Sequence, residues 1–282
     1  MKNIYKLSLL IAFFISFSTF SQEKLKGNKD VTNIDRNISN FEKLEIIDDV
    51  DIYLTFGESQ SVFVETDSNL QEVVTTEVKN GVLNIKTDNK IGRKKELIVH
   101  IKLNKNFKEI SAYNNVNVTS KSLLIIDSLQ INAFDNADFN LNLNSKEVQL
   151  NCKKTSNLKL EVLCNEITIT SEESSNFKGT IQAKSLNIHL LDKASINITG
   201  SANDIETESL GNSSFKGSDF KVSNAIIKAT NDSKIYINAS QNIDVFARNS
   251  SEIYIYSNPK IQLKEFFDRA TLYKREVDKK LF

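Results

Sequence analysis

Carboxylates and a histidine on neighbouring segments are the residues of this chain whose types and spacing could support catalysis. Glu166, Asp204, Glu206 and Glu208 lie in stretches of alternating apolar and polar residues, and His189 lies between them in the sequence. Carboxylates grouped in this way can bind calcium or act as general acid and base on a polysaccharide. No lysine or arginine accompanies them at a matching position, so a solvated strand face is the favoured interpretation.

Motifs for metal binding or nucleophilic catalysis are missing from the sequence. His100 and His189 lie in different parts of the chain, and neither has a companion at the spacing of zinc ligands. No G-x-S-x-G, H-E-x-x-H or phosphate-binding glycine loop occurs. The sequence therefore predicts no catalytic residue, no metal and no cofactor, and a β-helical carbohydrate-active enzyme is kept as the least favoured hypothesis.

A row of tyrosines is the candidate for ligand binding. Tyr236, Tyr254 and Tyr273 recur at steps of 18 and 19 residues, and Tyr256 lies one outward position beyond Tyr254. The column that they continue holds polar residues earlier in the chain: Lys159, Lys178, Asn197 and Lys216. If these positions stack on consecutive coils, the rings form a flat aromatic strip that suits a sugar or a protein surface. The alternative is that tyrosine is simply a common strand residue.

The tyrosines belong to a repeat of about 19 residues that predicts the fold. One apolar column holds Phe139, Leu158, Phe177, Ile196, Phe215, Ile235, Ile253 and Leu272. A second column holds Leu129, Val148, Ile167, Leu186, Ile205, Ile243 and Ile261. Apolar and polar residues alternate within each row, which indicates strands with one buried face. Stacking such rows closes the core, so we expect an all-β, single-domain parallel β-helix, right-handed by the crossover rule.

Small residues in the repeat predict how the coils pack. A small residue lies two positions before each member of the first apolar column, as a tight inner corner requires: Ala137, Ser156, Ser175, Ala194, Ser213, Ser233, Ser251 and Ala270. Gly179 and Gly217 follow Phe177 and Phe215 by two positions, so we expect each glycine to leave room for the ring beside it.

The two cysteines fall at opposite ends of the predicted coil cross-section. Cys152 closes the second strand of one coil, and Cys164 lies at the end of the first strand of the next coil. Strand geometry separates them by roughly 20 Å, which is beyond the reach of a disulfide. We therefore expect two free, buried thiols, although export favours disulfides.

The ends of the chain predict export. Lys2 and Lys6 precede an apolar run that ends in small and polar residues, so residues 1–21 are interpreted as a signal peptide, with cleavage expected after Ser21. No cysteine lies near the cleavage position and no second long apolar run follows, so we expect neither a lipoprotein nor a membrane span. The expected location is the periplasm or the cell surface.

The mature chain divides into four predicted parts. Residues 22–35 form a linker, 36–110 form longer opening coils that cap the solenoid, 111–276 form the short repeats, and 277–282 form a tail. The pair Asn80-Gly81 predicts a two-residue hairpin within the opening coils. The chain holds 36 basic and 36 acidic residues, so no net charge attracts it to nucleic acid.

The sequence also resembles a known family. Arg36 and the segments "FEKLEI" from Phe41, "VDIYLTFGESQSVFVET" from Val50, "VKNGVLNIKT" from Val78 and "LIVHIKL" from Leu97 match it in order, followed by the short repeats. Over residues 36–276 the chain resembles the auto-transporter adhesin head GIN domain, found in secreted proteins chiefly of the Bacteroidetes. The resemblance implies a parallel β-helix outside the cytoplasm with an adhesin-like role, and it supplies no catalytic residues.

Together the residues and the resemblance predict a non-catalytic, secreted cell-envelope protein. We expect it to bind a glycan or a cell-surface protein, with Tyr236, Tyr254, Tyr256 and Tyr273 as the candidate binding residues. The alternative is a structural envelope protein that associates with itself as a homo-oligomer.

Overall fold

The chain is almost entirely β-structure. The computed structural model describes residues 24–276, in which 25 strands, one 3-10 helix at Ser68–Leu70 and no α-helix are found. The predicted signal peptide, the first residues of the predicted linker and the predicted tail at 277–282 lie outside the described residues. The prediction of an all-β fold is confirmed.

The strands fall into an opening group and a repeat group. The opening group is β1 (Leu25–Lys26), β2 (Val31–Arg36), β3 (Lys43–Ile47), β4 (Asp51–Phe56), β5 (Ser61–Asp67), β6 (Val74–Lys79), β7 (Val82–Thr87), β8 (Ile91–Arg93) and β9 (Leu97–Leu103). The repeat group is β10 (Glu109–Tyr113), β11 (Asn117–Ser120), β12 (Leu124–Ile125), β13 (Ser128–Ala133), β14 (Asp138–Asn144), β15 (Glu147–Cys152), β16 (Asn157–Leu163), β17 (Glu166–Ser171), β18 (Asn176–Gln182), β19 (Ser185–Leu190), β20 (Ser195–Ser209), β21 (Ser214–Ala229), β22 (Lys234–Ala247), β23 (Glu252–Tyr256), β24 (Lys260–Phe266) and β25 (Thr271–Lys274).

The repeat strands form two parallel stacks, and the chain crosses from one to the other in every coil. The first stack runs β11, β14, β16, β18, the first halves of β20, β21 and β22, then β23 and β25. The second stack runs β10, β13, β15, β17, β19, the second halves of β20, β21 and β22, then β24. The result is a β-solenoid of about nine turns, spaced about 19 residues apart, as predicted.

Strand pairing confirms both predicted apolar columns. Phe139, Leu158 and Phe177 are aligned on successive rungs of the first stack, and Leu129, Val148 and Ile167 are aligned on the second. These side chains are buried and form one continuous core inside the coil. The alternation of apolar and polar residues thus places one face of each strand in the core and the other in solvent.

A tight turn joins the second stack to the next coil of the first. Asp135, with φ of 57°, and Asp192, with φ of 61°, have left-handed backbone conformations that asparagine and aspartate tolerate better than most residues. Two residues after each left-handed position comes a buried small residue, such as Ala137 or Ala194. The predicted column of small residues is confirmed, because all eight of its members are buried.

The two predicted glycine positions are confirmed as packing positions. A Cβ atom placed on Gly179 would lie 3.1 Å from Cζ of Phe177, and one on Gly217 would lie 2.6 Å from Cζ of Phe215. The Gly179 position would also lie 2.5 Å from the carbonyl oxygen of Leu160 on the preceding rung. The constraint at Gly179 therefore includes the backbone as well as the ring.

Both cysteines are free and buried, as predicted. Cys152 is aligned with Ala133 and Ser171 on the second stack. The amide of Cys164 donates a hydrogen bond to the carbonyl of Gln182 at the opposite corner of the coil. Burial raises the pKa of the Cys152 thiol to about 12 and that of the Cys164 thiol to about 11.

The opening strands do not stack in chain order. The coil formed by β7 and β9 lies outside the coil formed by β3 and β4, although it comes later in the sequence. Beyond it, β5 pairs antiparallel with β9, β2 pairs antiparallel with β5, and β6 pairs antiparallel with β7. The hairpin between β6 and β7 turns at Asn80-Gly81, as predicted, and both residues have positive φ.

These antiparallel strands close the first end of the core. Val64 and Leu70 are fully buried there. Gln71 is buried beside them, and its side-chain amide donates to the carbonyl oxygens of Thr32 and Val64. The guanidinium of Arg36 donates to the carbonyl oxygen of Gln71 at 2.7 Å.

Among the described residues, no strands cover the core at the C-terminal end of the solenoid. Ile261 and Leu263 continue the columns of Ile243 and Val245. They are 39% and 53% exposed, whereas Ile243 and Val245 are fully buried. The apolar side chains of β24 are thus uncovered at this end, where β24 and β25 are the last strands of their stacks.

Candidate functional site

Strand pairing brings three of the four candidate tyrosines together. Tyr236 of β22, Tyr254 of β23 and Tyr273 of β25 are aligned on successive rungs of the first stack. Ile235 and Ile237, on either side of Tyr236, are fully buried, so the rings point outward. We call these three residues the tyrosine ladder.

Tyr256 belongs to a different column. It is aligned with Asn238 on the preceding rung and is half-buried. It lies on the same face of the first stack, two positions along its strand from Tyr254, and so flanks the tyrosine ladder.

The rings of the tyrosine ladder stack on one another. The ring centroids of Tyr236 and Tyr254 are 4.5 Å apart with an interplanar angle of 5°, and those of Tyr254 and Tyr273 are 4.8 Å apart with an angle of 16°. The rung spacing of about 4.8 Å suits this arrangement, because equal rotamers on successive rungs place one ring over the next. The ladder therefore presents ring edges and hydroxyl groups to solvent, which corrects the expectation of a flat aromatic strip.

The middle tyrosine is fixed by a polar network. The hydroxyl of Tyr254 donates a hydrogen bond to the carboxylate of Glu252, which also forms a salt bridge of 3.1 Å with Lys234. The hydrogen bond to Glu252, with burial and the negative charge as further causes, raises the pKa of Tyr254 to about 12. The same hydrogen bond, followed by that from Lys234, lowers the pKa of Glu252. Within residues 24–276 the hydroxyls of Tyr236 and Tyr273 have no hydrogen-bond partner.

Arg275 lies at the edge of the tyrosine ladder. Its guanidinium carbon is 5.2 Å from the ring centroid of Tyr254 and 5.8 Å from that of Tyr273, within the range of a cation–π contact. The neighbouring Lys274 is aligned with the inward Ile255, and Arg248 pairs with Glu265. Sequence reasoning missed Arg275, although it follows Tyr273 by two positions and so continues the alternation along β25.

The column of the tyrosine ladder continues along the whole first stack. From Tyr236 toward the other end of the solenoid, pairing aligns Lys216, Asn197, Lys178, Lys159, Asn140, Thr119 and Tyr53. The predicted polar part of the column is therefore in register with the tyrosines. We call Lys159, Lys178 and Lys216 the lysine row, and all three side chains are exposed.

A second aromatic group ends the same column at the opening strands. Pairing aligns Tyr53 with His100, and His100 with Phe63. The rings of Phe63 and His100 stack with centroids 4.1 Å apart, and Nε2 of His100 lies 2.8 Å from Oε2 of Glu65. His100 therefore has aromatic and carboxylate neighbours. Sequence reasoning missed this group, because β4, β9 and β5 do not stack in chain order.

The acidic candidates lie on the outward face of the second stack and have polar partners. Asp204 accepts a hydrogen bond of 2.9 Å from Nδ2 of Asn224. Glu206 forms a salt bridge of 2.6 Å with Lys228, and Glu208 lies 3.4 Å from Nδ1 of His189. Glu166 is in the column of Asp204 but two rungs away from it, with Ser185 on the rung between them. The carboxylates are thus spread along the face.

An open polar groove of about 780 Å³ lies away from the tyrosines, at the turn edge near the opening strands. Its charges include the pair Lys94–Asp49 at 3.6 Å and the pair Lys154–Asp135. The groove contains none of the candidate binding residues. Across residues 24–276, no group of three or more histidine, cysteine, aspartate or glutamate residues is arranged to hold a metal ion.

The family of the chain follows from comparison with known proteins. The model of the family described as "Putative auto-transporter adhesin, head GIN domain" matches residues 40–170 and 161–259. The chain belongs to this family. Comparison with curated proteins found no match. The predicted resemblance is confirmed, and family membership supports an adhesin-like role.

Solved structures from two Parabacteroides species share the fold. A putative lipid binding protein from Parabacteroides distasonis is similar with a TM-score of 0.62 at 18% identity, over 90% of this chain and 100% of that chain. A putative adhesin from the same species has a TM-score of 0.62 at 17% identity, over 90% and 98%. A putative adhesin from Parabacteroides merdae has a TM-score of 0.51 at 23% identity, over 90% and 99%. None of these three proteins is described as an enzyme.

One finding bears on the membrane. Within residues 24–276, no helix is both long enough and apolar enough to span a bilayer.

Proposed function

We propose that this protein is an exported, non-catalytic adhesin that binds a glycan of the cell envelope or its surroundings through the outward face of the first stack. The observation that carries the proposal is the single column in which the tyrosine ladder and the lysine row lie in register. Tyr236, Tyr254 and Tyr273 form the centre of the site, with Tyr256 beside them. Family membership supports the adhesin-like role.

The chemistry of the face favours a sugar. Columns of amides and hydroxyls flank the lysine row: Asn157, Asn176, Ser195 and Ser214 on one side, and Thr180 and Thr199 on the other. Such groups both donate and accept hydrogen bonds, as sugar hydroxyls do. The hydroxyls of Tyr236 and Tyr273 add donors along the same line, and the ring edges add apolar contact.

The ring geometry defines how the ladder can contact a ligand. Since Tyr236, Tyr254 and Tyr273 cover one another's faces, a sugar would lie along the ring edges and hydroxyls. The bound sugar chain would then run parallel to the solenoid axis, across successive rungs about 4.8 Å apart. An elongated glycan fits this direction better than a compact ligand.

A glycan array followed by calorimetry tests the proposal. The double variant Tyr236→Ser/Tyr254→Ser removes two ring edges and one free hydroxyl, and at about 1 kcal/mol for each lost contact it should weaken binding about tenfold or more. The matched control is Thr168→Ala/Asn187→Ala, which changes two outward positions of the second stack. Equal affinity of the tyrosine variant and the wild type would refute the site, and binding of no glycan would refute the function.

Self-association is the second candidate function, and one observation favours it. The end of the solenoid at β24 and β25 exposes Ile261 and Leu263, which occupy core columns on the preceding rungs. Exposed strand edges of this kind pair readily with another strand. A second copy of this chain presents the same edges, so the occupant that we propose for this end is another copy.

A further inference from the structure

The three lysines of the lysine row have no acidic partner. Within residues 24–276, Lys159, Lys178 and Lys216 form no salt bridge, whereas Lys228 pairs with Glu206 at 2.6 Å. Other paired lysines include Lys43, Lys108, Lys146, Lys153 and Lys234. An exposed ammonium without a carboxylate partner keeps its full charge available to an anionic ligand.

The unpaired lysines lie on one straight line. Lys159 and Lys178 are on adjacent rungs, about 4.8 Å apart, and Lys216 is two rungs beyond Lys178, about 9.6 Å away, with Asn197 between them. The next three rungs carry the tyrosine ladder, and Arg275 lies at its far edge. A ligand that reaches from Lys159 to Tyr273 would extend across six rung intervals, or about 29 Å.

The two outward faces differ in charge. The second stack carries a series of carboxylates on its outward face: Glu147, Glu166, Asp204, Glu206, Glu208 and Asp244. On the first stack, Glu161 lies beside Lys159 and Glu252 pairs with Lys234 beside the tyrosine ladder, while Lys178 and Lys216 have neutral neighbours along their strands, such as Asn176, Thr180 and Ser214. The unpaired lysines at the middle of the first face would therefore attract an anionic chain.

From this line of charges we propose that the ligand is a linear acidic glycan. Its carboxylate or sulfate groups would meet Lys178 and Lys216, with Lys159 contributing at the end, and its sugar hydroxyls would meet the tyrosine ladder. This inference rests on the proposed function, because it assigns the ligand class of the same face. Nucleic acid is disfavoured as the ligand. Its closely spaced phosphates are usually bound by a large basic surface, whereas this chain has no net charge and the row contains three lysines.

A matched pair of polymers tests the ligand class. Binding of the protein to polygalacturonate and to its carboxyl-reduced, neutral counterpart is measured by calorimetry at low and high salt. At low salt, polygalacturonate should bind at least tenfold more tightly than its neutral counterpart. This difference in affinity should shrink at high salt, because the lysine charges are exposed to solvent. Equal affinity for both polymers would overturn the inference and leave the proposed glycan-binding function standing. If neither polymer binds and the glycan array finds a neutral ligand, the acidic-glycan inference is likewise overturned and the glycan-binding function still stands.

Two variants that remove the same charge test whether the lysine row is the binding site. Lys178→Gln/Lys216→Gln should lose about tenfold or more in affinity for polygalacturonate. Lys184→Gln/Lys193→Gln removes the same charge from two exposed lysines outside the column and should bind as the wild type does. Equal losses in both variants would mean that net charge alone drives binding, and would overturn the row as the site. Tighter binding to single-stranded DNA or to anionic phospholipid vesicles than to polygalacturonate would overturn the ligand class.

Discussion

The ring of Phe177 fills the space that Gly179 leaves two positions further along the same strand. The position of a Cβ atom on Gly179 is also blocked by the carbonyl oxygen of Leu160 on the neighbouring rung. The ring occupies the inward volume of two side chains, so the next rung can carry Ile196 and Ile198 at the same positions. Large and small residues thus alternate along the core and keep its packing even.

Replacement of Gly179 should therefore destabilise the solenoid. Gly179→Ile should cost about 1–3 kcal/mol, and even Gly179→Ala should lower the melting temperature, because the backbone of the neighbouring rung blocks the Cβ atom. Ile198→Gly is the complementary variant and should destabilise by leaving a void. Thermal melts followed by circular dichroism measure both, and a neutral Gly179→Ile would contradict the packing described here.

Local patterns made the repeats predictable, and non-local pairing made the opening strands unpredictable. The alternation in segments such as β14 and β16 fixes which face is buried, and the constant spacing fixes which residues are neighbours. No local pattern shows that β9 inserts between β4 and β5, because this order depends on antiparallel pairing across distant segments.

The sequence predicts which tyrosines share a column, but it does not predict how their rings are oriented. The register of Tyr236, Tyr254 and Tyr273 follows from spacing alone. Whether their rings lie flat or stack depends on rotamers, which a sequence does not display. The same limit applies to Arg275, whose contact with the rings depends on how its long side chain folds back.

The two buried thiols should be unreactive in the folded protein. The thiolate is the form that reacts with alkylating agents, and the raised pKa of Cys152 and Cys164 leaves very little thiolate at pH 8. Iodoacetamide should therefore modify neither cysteine in the native protein. In denaturant it should modify both without prior reduction, as mass spectrometry would show. A denatured, unreduced sample with no modified cysteine would reveal a disulfide and contradict the register.

The hydrogen bond from Tyr254 to Glu252 should make stability depend on alkaline pH. The pKa of Tyr254 is raised from the ordinary tyrosine value of 10.0 to about 12 in the folded protein. The stability that this hydrogen bond adds should be fully present below pH 10 and should be lost as the pH rises through 12. Urea unfolding at a series of pH values measures the loss. Tyr254→Phe should lose less stability over this pH range than the wild type. Tyr53→Phe, which lies outside the tyrosine ladder, should behave as the wild type does.

The exposed end of the solenoid should mediate self-association. If β24 and β25 of two copies pair edge to edge, Ile261 and Leu263 of each copy become covered, and the outward faces of the first stacks stay on the same side of the joined sheet. Leu263→Lys should prevent this, because the contact would bury an ammonium group without a partner. Sedimentation velocity should find a dimer for the wild type and a monomer for the variant.

Leu163→Lys provides the control for this prediction. Leu163 is 50% exposed and Leu263 is 53% exposed, so both variants replace an exposed leucine with the same charge. Leu163, however, lies on β16 in the middle of the solenoid, far from the open end, and its variant should still dimerise. If the wild type stays monomeric at high concentration, self-association through this end is wrong. If both variants dissociate, the contact lies elsewhere on the surface, because Leu163 is not part of the proposed edge.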